Sequence, residues 1–134
     1  MKHEEITEQI IKAFFRVYNM LGYGFLEKVY LNALLIELTE MEFKAEINKR
    51  IYVYYKGIVV GDYVADIIVE DIVICELKAN ESLSEENENQ LINYLKATET
   101  EVGLLLNFGK RPEIRRKIYD NDKKAWHTTK MRPL

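Results

Sequence analysis

Cys75 is the only cysteine in the 134 residues, so no disulfide can form within the chain. A zinc site built on several thiolates is excluded for the same reason. The residue lies in the apolar stretch Ile72-Val73-Ile74-Cys75, which predicts a buried, unreactive thiol. No apolar run approaches the roughly 20 residues of a membrane-spanning helix. Met1-Lys2-His3-Glu4-Glu5 leads into no signal-peptide core. The expectation is therefore a cytoplasmic protein with no membrane partner. Glycine-rich phosphate loops and a nucleophile elbow are both missing, which argues against a small-molecule hydrolase. There is no internal repeat and no low-complexity linker.

What is present fits one domain over residues 1–134, with a basic C-terminal extension from about residue 120. Hydrophobic residues make up 48% and charged residues 31%, the balance of a globular chain. The net charge of −3 is unevenly placed: residues 109–134 carry nine Lys or Arg against three acids. A basic end on an acidic body suits an anionic partner such as nucleic acid, although a solvated tail has the same composition.

Ile6, Ile10, Phe14, Val17 and Leu21 recur at three- and four-residue steps and predict a helix over Glu4 to Leu21. Gly22-Tyr23-Gly24 breaks it. A second helix is expected from about Leu26 to Leu38. Ile51 to Tyr55 and Ile58 to Val60 are β-rich around a Lys56-Gly57 turn. Tyr63 to Val69 and Ile72 to Lys78 are strand candidates around Glu70-Asp71. Ser84 is a plausible N-cap for a helix from Glu85 to about Thr98. Val102 to Phe108 reads as a buried strand and Ile114 to Tyr119 as a further short one. This order predicts an α/β fold, a mixed sheet flanked by helices.

Within the apolar strands Val64-Ala65-Asp66-Ile67-Ile68 and Ile74-Cys75-Glu76-Leu77-Lys78 stand three charged residues. Ionisable groups in such surroundings are costly unless paired or bound to metal. Glu76 and Lys78 are two apart, so a strand points both to one face. Two carboxylates on adjacent strands make a hard-oxygen site for Mg²⁺ or Mn²⁺. An ammonium beside them can stabilise phosphate charge, and together these are the parts of metal-assisted phosphodiester hydrolysis. The competing reading is a structural Asp66 and a surface Glu76–Lys78 pair.

Gly24-Phe25-Leu26-Glu27-Lys28-Val29-Tyr30 resembles the signature of the GxxExxY proteins, a prokaryotic branch of the PD-(D/E)XK nuclease-like superfamily. The resemblance continues through Leu31-Asn32-Ala33-Leu34, Tyr54-Tyr55-Lys56-Gly57, Ala65-Asp66 and Glu76-Leu77-Lys78-Ala79. It takes in Gln90-Leu91-Ile92-Asn93-Tyr94-Leu95-Lys96 and Gly103-Leu104-Leu105-Leu106-Asn107-Phe108-Gly109, and spans roughly residues 4 to 119. It implies a restriction-endonuclease-like core and a divalent-metal-dependent nuclease, acting on DNA before RNA. Asp66 and Glu76 are then the metal-binding acids and Lys78 the catalytic lysine. Glu27 is the extra acid that many members carry on an early helix, with Tyr30 supporting the site. Gln90 and Tyr94 resemble the Gln-x-x-x-Tyr element of RecB-like nucleases and, four apart, share a helical face where they can contact substrate or the lysine. The histidine common in the family three residues before the glutamine is replaced by Asn87, and His3 and His127, near the ends, are poor substitutes.

Two expectations follow for geometry. A two-residue turn at Glu70-Asp71 would pair Asp66 with Cys75 and set the two acids on opposite faces, so a shared site requires an odd loop or a β-bulge. Lys110, Arg111, Arg115, Arg116 and Lys117 would bind phosphates beside the site. A catalytically idle nuclease-fold module that binds nucleic acid or a protein stays open as the second reading, and a homodimer is compatible with either.

Overall fold

The computed structural model describes residues 2–124. His127 and most of the basic extension lie outside the described residues. Two helices come first, α1 (Glu4–Leu21) and α2 (Glu27–Glu40). Strands β1 (Ala45–Tyr55), β2 (Ile58–Val69) and β3 (Val73–Lys78) follow. Then come α3 (Glu85–Ala97), β4 (Val102–Phe108) and β5 (Pro112–Ile118), with a 3-10 turn over Asn121–Lys123. The five strands lie in sequence order, antiparallel except for the β3–β4 pair, which α3 connects as a parallel crossover. The mixed sheet between helices is the architecture expected from the order of elements. The sequence divides Ile58–Val60 from Tyr63–Val69, but the chain runs through Gly61 and Asp62 as one long strand.

The sheet has a helix layer on each face. Ile10, Phe14 and Val17 of α1 and Tyr30, Leu34 and Leu38 of α2 pack on Val73, Cys75, Leu77, Leu104 and Leu106. Leu91, Tyr94 and Leu95 of α3 pack on Ile68, Ile74 and Leu105 on the other side. Alternation along β3 and β4 thus feeds both cores, and all seven residues of β4 are buried. Cys75 is fully buried, and burial pushes its thiol up, so it is an inert core residue.

Ser84 caps α3: its side chain accepts from Asn87 N–H while the Asn87 side chain accepts from Ser84 N–H. Asn87, at the position where the family's histidine is common, is therefore a capping residue.

Candidate active site

The site forms where β2 and β3 part. Glu70 and Asp71 both have positive φ, 54° and 55°, and Ile72 N–H closes the turn on the Val69 carbonyl. Val69 pairs with Val73, so three residues intervene and not two. This odd loop brings Asp66 level with Glu76 and meets the condition for a shared site. The β2–β3 ladder stops at Ile67 and Cys75. At the same level β1 contains Asn48 with φ 52°, and the β1–β2 ladder skips the Asn48–Asp66 pair. Beyond that point the β1–β2 arm turns over: Ile67 belongs to the α1–α2 core, whereas Ala65 and Ile51 pack with α3.

The gap is filled by the acids themselves. Asp66 N–H donates to Glu76 Oε2 at 3.1 Å, and Leu77 N–H donates to Asp66 Oδ2 at 2.8 Å. Glu76 is only 4% exposed. Burial, and then the adjoining Asp66 carboxyl, pushes the Glu76 carboxyl up to about 9. Lys78 is half-buried two residues on, and its charge partly offsets that rise. Among the described residues no salt bridge engages Asp66 or Glu76. Two adjoining hard-oxygen donors, Glu76 buried and Asp66 half-buried, fit a divalent ion, which would favour the ionised form of Glu76.

Glu27 begins α2 and is exposed, yet it lines one cleft with Asp66. That cleft, of about 340 Å³, also takes in Lys28, Leu31, Asn32 and Asn48. Among the described residues no three or more His, Cys, Asp or Glu side chains are gathered closely enough to ligate one ion together. Glu27 thus faces the site without joining the pair. Tyr30 fixes the entry to that helix. Its hydroxyl donates to the Gly22 carbonyl at 2.6 Å and accepts from Phe25 N–H at 3.2 Å, while its ring stacks on Phe108 at 4.3 Å. Gly24, between them, has φ 110°, a conformation costly for other residues.

Gln90 and Tyr94 lie together on α3, Gln90 Nε2 donating to the Tyr94 hydroxyl at 3.0 Å. Burial, and then the charges of Glu76 and Asp66, push the Tyr94 phenol up to about 12, and Tyr94 shares the α3-side core with Ala65, the residue before Asp66.

The basic segment is divided. Lys110 and Arg111 are exposed on the β4–β5 turn, which the Tyr18 hydroxyl holds by donating to the Gly109 and Lys110 carbonyls at 2.8 Å. Arg115 points to the α3 face and meets Glu113 at 3.4 Å, and Lys117 on the same face is paired with Glu88. Arg116 points to the other face, where its guanidinium donates to the Lys2 carbonyl.

Motifs alone assign no role to Asn32 and Asn48, which line the cleft at Asp66, or to Tyr63, which lines a second cleft against α3. Only Asn32 carries a signal, one turn after Lys28 on the helix that starts at Glu27.

The sequence profile described as PD-(D/E)XK nuclease superfamily matches residues 4–117. No curated protein matches the chain in sequence. Among solved structures, an alkaline exonuclease from Laribacter hongkongensis is similar with TM-score 0.53 and 11% identity, over 98% of this chain and 78% of that one. The crystal structure of SSO0001 is similar with TM-score 0.52 and 18% identity, over 72% of this chain. The chain spans about half of that protein, 51%. These likenesses are in fold. Since the profile runs over most of the sequence, the protein belongs to the PD-(D/E)XK nuclease superfamily.

Proposed function

We propose that the protein is a nuclease of the GxxExxY branch that hydrolyses phosphodiester bonds with Mg²⁺ or Mn²⁺, on DNA ahead of RNA. The observation that carries this is the Asp66–Glu76 pair, held at the parting of β2 and β3 by reciprocal bonds to backbone N–H groups, with Lys78 on the same strand. Asp66 and Glu76 would hold the ion, with Glu27 across the cleft reaching it through water. A bound divalent ion supplies charge neutralisation at the phosphate and a more acidic water. The chain's own part is positioning. Glu76 gives up its proton to ligate. The Lys78 ammonium donates to the phosphoryl oxygens as charge develops. Gln90 and Tyr94 stand on the substrate side of the acids. The likeness of those two residues to the RecB-like element supports DNA as the polymer.

One observation favours a second reading, a nuclease-fold module that binds without turnover: Glu27 does not complete a ligand set. A cleavage panel separates the two. Linear, circular, single-stranded and duplex DNA and RNA are incubated with Mg²⁺ or Mn²⁺, wild type beside Glu76→Ala. Cleavage by the wild type alone supports the enzyme; nucleic-acid binding that is indifferent to metal, without cleavage, supports the module. Among the described residues no helix is long and apolar enough to cross a membrane. A homodimer is compatible with this proposal, since a second copy would let a domain of this size reach both strands of a duplex.

A further inference from the structure

Two clefts open along the β1–β2 arm, one of them at Asp66, and their linings differ in kind. The Glu27–Asp66 cleft contains carboxylates and Lys28, groups suited to an ion and a phosphate. The second, of about 440 Å³, lies between α3 and the β1–β2 arm. It is lined by four carboxamides, Asn87, Asn89, Gln90 and Asn93, and by the rings of Tyr63 and Tyr94, 5.7 Å apart. Among the described residues no lysine or arginine lines it, and the one charged residue there is Glu86. A phosphate is therefore repelled there. Asn89 and Asn93 are exposed, and among the described residues no hydrogen bond engages their side chains.

A neutral, flat ligand rich in donors and acceptors matches this lining. Carboxamides present a donor and an acceptor side by side, the pattern that pairs with base edges. An exposed tyrosine ring supplies a stacking surface, and Tyr63 is 48% exposed, with the buried Tyr94 ring behind it. We propose that the cleft between α3 and the β1–β2 arm is a subsite for an unpaired nucleobase, adjoining the strand whose phosphate enters the Glu27–Asp66 cleft. The inference rests on the reading of nucleic acid as substrate and deepens it. A base inside a duplex is stacked and paired, so its edge and faces are not free. The substrate class is then single-stranded nucleic acid, or a strand with an unpaired end or flap.

The test is binding by fluorescence anisotropy at fixed salt, with chelator present so that no cleavage occurs. Three probes of about 12 nucleotides are compared: single-stranded oligo-dA, an abasic strand of equal charge, and a paired duplex. Oligo-dA is expected to bind about tenfold more tightly than either of the others, the effect of one stacked base. Tyr63→Ala combined with Asn93→Ala should bring oligo-dA down to the abasic level and leave the abasic strand unchanged. Both side chains are exposed, and a thermal melt checks that the variant is folded. Equal binding of oligo-dA and the abasic strand overturns the subsite, as does tighter binding of duplex. A folded variant that still discriminates, or one that loses the abasic strand too, overturns it as well. The cleavage panel judges the enzyme separately. Hydrolysis with no base preference keeps the nuclease and removes the subsite. Base-selective binding with no hydrolysis keeps the subsite and removes the nuclease.

Discussion

Asp66 and Glu76 each occupy a backbone position that the sheet leaves open: Glu76 Oε2 accepts from Asp66 N–H at 3.1 Å, and Asp66 Oδ2 accepts from the N–H of Leu77, the residue after Glu76. The ladder between β2 and β3 ends one residue earlier. The carboxyls thus replace main-chain pairing and are fixed by it, which places the half-buried Asp66 against the buried Glu76.

This arrangement gives stability a pH dependence of definite sign. The Glu76 carboxyl rises from 4.5 to about 9 on folding. The folded state therefore holds the proton more tightly, and that stability is full below pH 4.5 and is lost as pH rises towards about 9. Without divalent ions, urea unfolding of the wild type should weaken across this window by on the order of 1 kcal/mol per pH unit. Glu76→Gln, which keeps an acceptor for Asp66 N–H but cannot ionise, should stay nearly flat. A wild-type curve as flat as the variant's would show that Glu76 is ionised at no cost.

Metal binding should act against the same repulsion. At a hundred times its Kd, Mg²⁺ or Mn²⁺ should add about 2.7 kcal/mol to the wild type, read as a rise in Tm. Asp66→Ala and Glu76→Ala should each abolish the rise. Since Glu76 must lose its proton to ligate, apparent affinity should grow about tenfold per pH unit on approach to 9. Calorimetry at millimolar ion that detects no binding, with DNA present, would remove the metal from the proposal.

Lys78 should separate ligation from chemistry. Lys78→Ala should leave the metal-induced rise in Tm in place while turnover falls by about 10²- to 10³-fold. A change that leaves cleavage within a few-fold of wild type would assign Lys78 to charge compensation of Glu76 alone.

The sheet, its flanking helices and the acids were legible in the sequence because each is a local pattern. Apolar spacing over Glu4 to Leu21 marks a helix, and charged residues inside apolar strands mark a site. The relative register of Asp66 and Glu76 was legible only as a condition, since Ile72 can either pair or join the loop and both choices suit an apolar residue. The division of the basic segment follows from strand alternation: Arg115 and Arg116 are neighbours in sequence and necessarily face opposite sides of β5. Asn48 and Tyr63 carry no local signal at all. They reach the two clefts only because the β1–β2 arm turns over at Asn48, a consequence of tertiary packing on α3.

That division predicts how salt should act on DNA binding. Lys110 and Arg111 on the turn and Arg115 on the α3 face are exposed. Neutralising all three should flatten the dependence of log affinity on log salt by roughly three times 0.9 for duplex and 0.7 for single strands. Arg116→Ala should leave that slope unchanged and lower stability instead, because it removes the bond to the Lys2 carbonyl that ties the N-terminus to β5. An unchanged slope in the triple variant would assign the segment to solvent.

Asn107 should hold the exit of β3 in place. Fully buried opposite Lys78, its Oδ1 accepts from Asn80 N–H at 2.9 Å, and its Nδ2 donates to the Asn80 carbonyl at 3.0 Å and to Glu113 Oε1 at 3.1 Å. The chain passes so close here that a Cβ on Gly109 would meet the Asn80 carbonyl oxygen at 2.1 Å. Asn107→Leu keeps the volume but leaves the Asn80 N–H and carbonyl unpaired, while Glu113 Oε1 keeps its bond from Leu83 N–H, a loss of about 2–4 kcal/mol in urea unfolding. Asn107→Asp retains the acceptor for Asn80 N–H yet sets a carboxylate against Glu113 and the Asn80 carbonyl, so it should be nearly as damaging at neutral pH and partly recover in acid. Hydrogen exchange at the Asn80 amide reads the clamp directly: exchange should accelerate in both variants, and an Asn80 amide as protected as in the wild type would show that the loop after Lys78 is held by something else.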